Sequence, residues 1–142
     1  MDEKPRRSIL VVEDEVGIGR LLAAYLESVG FEVHHETHGE SALRYVSEHR
    51  PDLVILDLQL PDIHGYEVCH ELRRLYNSWA LPIMMLTSMD ASIDKLRGFA
   101  HGADAYLTKP FEPPELLPTV TRLLSQLPDG SHAPVEHHLW ER

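Results

Sequence analysis

The chain alternates short apolar runs with segments whose apolar residues recur at helical spacing. Ser8 to Val12 is a β-branched run that breaks at Glu13-Asp14-Glu15. Ile18, Leu21, Leu22, Tyr25, Leu26 and Val29 then fall on one helical stripe, and Gly30 stands where a helix C-cap glycine belongs. Phe31 to His35 reads as a weaker strand. Glu40 to Glu48 reads as a helix with Ala42, Leu43 and Val46 inward, stopped ahead of Pro51. Leu53 to Leu56 is the most apolar run and ends at Asp57. Gly65 to Tyr76 follows as a helix with Val68, Cys69, Leu72 and Leu75 as its buried stripe. Pro82 to Leu86 is a fourth strand ending at Thr87-Ser88, and Ser92 to Ala100 a fourth helix with Ile93, Leu96 and Phe99 inward. Ala105 to Leu107 is a short fifth strand before Thr108-Lys109-Pro110. The last helix opens at Pro113-Pro114, which a first turn tolerates, and buries Leu116, Leu117, Val120, Leu123, Leu124 and Leu127. Runs apolar on both faces, separated by helices, predict an α/β fold: a parallel sheet covered on both sides.

Composition narrows the classes. At 142 residues and 43% apolar, the chain is one domain with a core of its own. A single cysteine, Cys69, leaves no internal disulfide and no multi-cysteine zinc site. No apolar run approaches the ~20 residues of a membrane span, and no signal peptide is legible, so a cytoplasmic protein is expected. The formal net charge of −10 argues against nonspecific nucleic-acid binding, which needs clustered Lys and Arg. Residues 128–142 lack a periodic stripe and read as a tail or linker.

In an open parallel sheet, ligands bind beyond the carboxyl ends of the strands. Those ends carry Glu13, Asp14, Asp57, Thr87 and the approach to Lys109. Polar residues at any one strand end are ordinary. The set is not, because two carboxylates 4 Å apart repel by roughly 4 kcal/mol at an effective dielectric of 20. A cation is needed, and hard oxygen donors in this arrangement suit Mg²⁺. A lysine and a hydroxyl beside it suit phosphoryl oxygens, so the constellation reads as phosphoryl chemistry with an aspartate nucleophile.

These residues sit in motifs that resemble the receiver domain of two-component response regulators. The motifs are Ile9-Leu-Val-Val-Glu-Asp-Glu15, Pro51-Asp-Leu-Val-Ile-Leu-Asp57, Leu60-Pro-Asp-Ile-His-Gly65, Leu86-Thr-Ser88 and Gly102-Ala-Asp-Ala-Tyr-Leu-Thr-Lys-Pro-Phe111. The resemblance spans about residues 7 to 127, five motifs in order. It implies a doubly wound (βα)5 flavodoxin-like sandwich with a five-stranded parallel sheet in the order 2-1-3-4-5, with residues 1–127 as the receiver. It implies that Asp57 accepts a phosphoryl group from a sensor histidine kinase or phosphotransfer protein. Asp14, Asp57 and the backbone carbonyl of Gln59 would hold Mg²⁺ directly, and Glu13 through a water. Lys109 would pair with Asp57 and then with the phosphoryl group, ahead of a Lys-Pro peptide that is commonly cis. Thr87 and Tyr106 would form the switch, small Ser88 would leave the site accessible, and Gln59 and Met89 would flank it. Output would pass through the face of the fourth helix, fifth strand and last helix, to a phosphorylation-dependent homodimer or to an effector. In the winged-helix subfamily, charged pairs hold that dimer. Lys95, Asp104 and Glu115 resemble part of the set, whereas Ala105, Thr119 and Gln126 stand where charges are expected. The chain is expected to act as a signalling domain, not as an enzyme.

Other classes fit less well. A haloacid-dehalogenase-type phosphatase needs an acid two residues after its nucleophile, where this chain has Gln59. A nucleotide-binding module needs a Gly- or hydroxyl-rich loop after the first strand, where this chain has Glu13-Asp14-Glu15. A degenerate receiver would lack part of the set Asp14, Asp57, Thr87 and Lys109, all present here. His34, His35 and His38 read as surface residues, Cys69 as a packed thiol and Trp79 as a packed loop residue.

Overall fold

The computed structural model describes residues 6–88 and 101–127. Met89, the expected fourth helix with Lys95, and the expected tail lie outside these residues. The described elements are β1 (Ser8–Val12), α1 (Val16–Ser28), β2 (Glu32–Glu36), α2 (Gly39–Glu48), β3 (Leu53–Asp57), α3 (Gly65–Leu75), β4 (Ile83–Thr87), β5 (Ala105–Thr108) and α4 (Leu116–Leu124). A 3-10 turn, Pro113–Glu115, leads into α4. Every strand pairing is parallel, and the order β2-β1-β3-β4-β5 is the one expected.

Alternation along the strands divides the core in two. Leu10, Val12, Val54, Leu56, Ile83 and Met85 face α2 and α3, where Val46, Val68 and Leu72 meet them. Ile9, Val11, Leu53, Ile55, Met84 and Leu86 face α1 and α4, against Leu22, Leu26, Val120 and Leu123. β3 is buried at all five positions, as a central strand covered on both faces must be.

Four apolar residues assigned inward lie outside. Leu21, Val29, Leu75 and Trp79 are exposed. Spacing alone makes the helical stripe too wide: Leu22 and Leu26 reach the core, while Leu21 stands a hundred degrees away from Leu22. Val29 caps α1 just before Gly30, whose φ of 108° reverses the chain. Leu75 closes α3 past the last residue that faces the sheet. Trp79 sits in a turn held by the Asn77 side chain, which accepts from the Trp79 and Ala80 N–H groups. Cys69 is packed as expected. Burial pushes its thiol up to about 11, and its Sγ donates to the His101 carbonyl.

One polar contact ties the far ends of α3 and β4 to the approach to β5. Arg73 donates to the carbonyls of Gly102 and Leu81 at 2.9 and 2.6 Å and to Asp104 at 2.6 Å. Asp104 also accepts from the Ile83 N–H. Arg73→Ala should therefore cost about 3 kcal/mol in urea unfolding, because two carbonyls lose their donor and the Asp104 carboxylate, left with the Ile83 N–H, loses its counter-charge.

Candidate functional site

The carboxyl ends of β1, β3 and β4 and the residue after β5 converge. Glu13 and Asp57 are buried, and Asp14 is exposed beside them. One oxygen from each of the three lies within 4.8 Å of the others. Lys109 stands 3.0 Å from Glu13 Oε1 and 3.0 Å from Asp57 Oδ2. The second oxygen of each acid is also engaged. Glu13 Oε2 accepts from the Glu15 N–H at 3.1 Å, and Asp57 Oδ1 from the Gln59 N–H at 3.1 Å. The Lys109 backbone is fixed in turn, its N–H donating to the Thr87 carbonyl at 2.7 Å ahead of a cis Lys109–Pro110 peptide.

The electrostatics are unbalanced. One ammonium is shared between two carboxylates, with a third alongside. Burial, and then the charge of Asp57, push the Glu13 carboxyl up from 4.5 to about 7, although Glu15 and Lys109 pull it down. Burial works against the Lys109 ammonium, but its hydrogen bonds to Asp57 and Glu13 outweigh this and hold it above its ordinary value. The lysine gains from both partners; the glutamate is left under-compensated. Three converging oxygens with one exposed acid on the rim fit a hard divalent cation that keeps several waters.

The loop after Asp57 is held by its own sequence. Asp62 accepts from the N–H groups of Gly39 and Glu40, at 2.8 and 2.9 Å, at the N-terminus of α2. His64 caps α3, its Nδ1 accepting from the Tyr66 N–H. Gly65 donates to the Leu58 carbonyl at 2.7 Å, and a side chain there would meet the Asp57 carbonyl at 2.6 Å and Leu58 Cα at 2.7 Å. Only glycine lets α3 begin against the end of β3. Gly65→Ala should destabilise the fold by about 1–3 kcal/mol, read by thermal unfolding, because the obstacle is backbone.

Thr87 is buried at the end of β4, next to Asp57 across the β3–β4 ladder. By alternation it lies on the same sheet face as Tyr106, which is half-buried against the α3 side of the core. Ser88 and Gln59 are exposed at the rim. Two of the charges that resemble a dimer set are used inside the chain. Asp104 is held by Arg73, and the Glu115 carboxylate accepts from the Glu112 N–H in a capping box.

Three polar residues make contacts that the sequence reading does not give: Asp52 is not singled out, and His34 and His35 read as surface residues. Asp52, nearly fully buried at the opposite end of the sheet, accepts from the Ser8 N–H at 2.8 Å and pairs with Arg7. His34 stacks on Tyr45 with ring centroids 3.9 Å apart. His35 reaches the Glu13 carbonyl at 2.8 Å. The signal for the last was available: His35 shares the strand parity of Val33, hence the face turned to α1.

The sequence profile described as "Response regulator receiver domain" matches residues 9–121. Over 118 residues the chain is 43% identical to the alkaline phosphatase synthesis transcriptional regulatory protein PhoP of Bacillus subtilis, an alignment that covers 83% of this chain and 48% of that protein. It is 40% identical over 116 residues to the DNA-binding dual master transcriptional regulator RpaA of a Synechocystis strain, covering 82% and 48%. The chain thus spans about half the length of these curated relatives. Among solved structures, a putative response regulator from Chloroflexus aurantiacus superposes with a TM-score of 0.80 at 37% identity, covering 85% of this chain and 99% of that one. The BeF3-activated N-terminal receiver domain of Klebsiella pneumoniae RstA gives 0.77 at 34%, covering 83% and 98%.

Proposed function

The chain belongs to the response regulator receiver domain family, and from that premise we propose that Asp57 is its phosphoacceptor in a Mg²⁺-dependent reaction. The observation that carries this reading is the Lys109 ammonium, 3.0 Å from both Asp57 and Glu13, inside a cluster of three acids. An Asp57 carboxylate oxygen attacks the phosphorus of a phosphohistidine on a partner kinase or phosphotransfer protein. The new P–O bond forms as the P–N bond breaks, and the imidazole leaves with the bonding pair and takes up a proton. Asp57 becomes an acyl phosphate. Lys109 and the Gln59 N–H hold the carboxylate in place for attack. Lys109 is also the cation positioned to meet charge on the transferred group. Asp14, Asp57 and the Gln59 carbonyl would hold Mg²⁺, with Glu13 acting through a water. The spent oxygens of Glu13 support that indirect role. When bound, the ion would neutralise the acids and polarise the phosphoryl oxygens.

Thr87 then donates its hydroxyl to the phosphoryl group and Tyr106 turns inward behind it, a local charge event that biases a two-state packing. Residues 1–127 act as the receiver and 128–142 as a tail or linker to an effector. The names of the half-matched relatives favour a transcriptional output for such an effector. The net charge of −10 favours a chain that does not itself bind nucleic acid. Among the described residues no helix is long and apolar enough to cross a membrane, and membership of the family favours a cytoplasmic setting. A phosphorylation-dependent homodimer built on charged pairs is disfavoured, because Asp104 and Glu115 are engaged within the chain.

The test is incubation with acetyl phosphate, with and without Mg²⁺, followed by mass mapping. One phosphoryl group on Asp57, dependent on Mg²⁺ and absent in Asp57→Asn, is the expected result. Modification at another residue, or equal modification in Asp57→Asn, overturns the reading.

A further inference from the structure

The second strand contributes to the site from behind. β2 runs parallel to β1, with His35 opposite Val11 and Glu36 opposite Val12. The Glu36 carbonyl accepts from the Glu13 N–H at 3.0 Å, and His35 Nε2 lies 2.8 Å from the Glu13 carbonyl. A carbonyl only accepts, so Nε2 carries the hydrogen. The imidazole is seated on Gly19, where an added methyl would overlap the ring. Gly19 belongs to the first turn of α1, its N–H bonded to the Glu15 carbonyl at 2.9 Å.

The Glu13 carbonyl and the Asp14 nitrogen share one rigid peptide plane. A hydrogen bond that fixes that carbonyl also fixes the Asp14 nitrogen and Cα in the same plane, and so the point from which the Asp14 side chain leaves the backbone. Asp14 is the exposed member of the acidic trio, and among the described residues its carboxylate has no hydrogen-bond partner. Its orientation therefore depends on its backbone. We propose that His35 is a positioning residue that locks the Glu13–Asp14 peptide and so preorganises Asp14 toward Asp57 for a divalent cation. This rests on the metal reading of the site given above. It explains the coincidence of a histidine at the end of an edge strand with a glycine inside α1, where alanine would suit the helix better.

The test is calorimetric titration of the whole chain with Mg²⁺, with thermal unfolding in EDTA measured alongside. His35→Leu should weaken Mg²⁺ binding about tenfold, the scale of an outer-shell loss. His35→Gln, whose amide N–H can reach the same carbonyl, should stay near the wild type. Gly19→Ala should weaken binding like His35→Leu, even though it improves helix propensity. The metal-free Asp14 backbone amide should shift in the NMR spectra of His35→Leu and Gly19→Ala, and hold its position in His35→Gln. A purely structural role would lower the melting temperature and leave Mg²⁺ affinity unchanged. Wild-type binding with equal affinity in His35→Leu and Gly19→Ala overturns the positioning role alone. Wild-type protein that binds no Mg²⁺ overturns the metal reading and this role together. Should His35→Leu fail to fold, Gly19→Ala decides, since it keeps the imidazole and evicts it from its seat.

Discussion

In metal-free buffer at pH 8, Glu13→Gln should be more stable than the wild type by about 2 kcal/mol, and at pH 4.5 the two should coincide. The Glu13 carboxyl is held at about 7, above its ordinary 4.5, by burial and by Asp57. An acid whose folded value is raised binds its proton more tightly in the folded state. Its contribution to stability is complete below 4.5 and is lost as pH rises toward about 7. At about 1.4 kcal/mol per pH unit, the full loss is about 3 kcal/mol, and a neutral amide that must find its own partners recovers most of it. Glu36 shifts the other way: hydrogen bonds from His34 and Ser41 overcome its burial and hold it below its ordinary value, so its effect falls at lower pH. Subtracting the wild-type curve from that of Glu13→Gln isolates Glu13 between those limits. Urea unfolding at pH 4.5 and pH 8 in EDTA measures it. Equal stability at pH 8 would show that ionised Glu13 carries no net penalty. Adding Mg²⁺ at pH 8 should stabilise the wild type by mass action and stabilise Glu13→Gln less.

Much of this is legible in the sequence. Strand ends are readable because apolar runs stop abruptly at charges: Val12 at Glu13, Leu56 at Asp57, Leu86 at Thr87. Parallel packing then forces those ends to one rim. Helix faces are less legible, since spacing alone admits Leu21 and Leu75 to the inward stripes although both are exposed. Contacts between elements distant in sequence were not legible at all. Nothing local to Arg73 announces that its guanidinium spans Leu81, Gly102 and Asp104. From sequence alone His35 reads as a surface residue, because its role needs the register of β2 against β1 and the missing Cβ of Gly19 together. Chemistry that depends on strand termini survives translation from sequence. Chemistry that depends on a side chain crossing between layers does not.

Lys109→Gln should behave as the mirror image of Glu13→Gln. The Glu13 side chain is fully buried and that of Asp57 is 6% exposed, and both lean on one ammonium. Removing it leaves two buried carboxylates facing each other, which should cost about 3 kcal/mol in EDTA at pH 8. The pH dependence separates this from a packing defect. Lowering the pH to 5 protonates Glu13, whose value lies near 7, and halves the uncompensated charge, so part of the loss should return. A packing defect would persist unchanged. Lys109 itself adds no slope in this range, because its value is raised from 10.5 and its contribution is lost only at more alkaline pH. Mg²⁺ should restore more stability to Lys109→Gln than it adds to the wild type, since the divalent ion takes over the counter-charge that the ammonium supplied. Phosphorylation by acetyl phosphate should still fall sharply even in saturating Mg²⁺, because the cation poised for the transferred group is gone. Refolded stability equal to wild type at pH 8, or a Mg²⁺ gain no larger than that of the wild type, would show that Lys109 does not balance these acids. Restored stability with undiminished phosphorylation would confine Lys109 to a structural part.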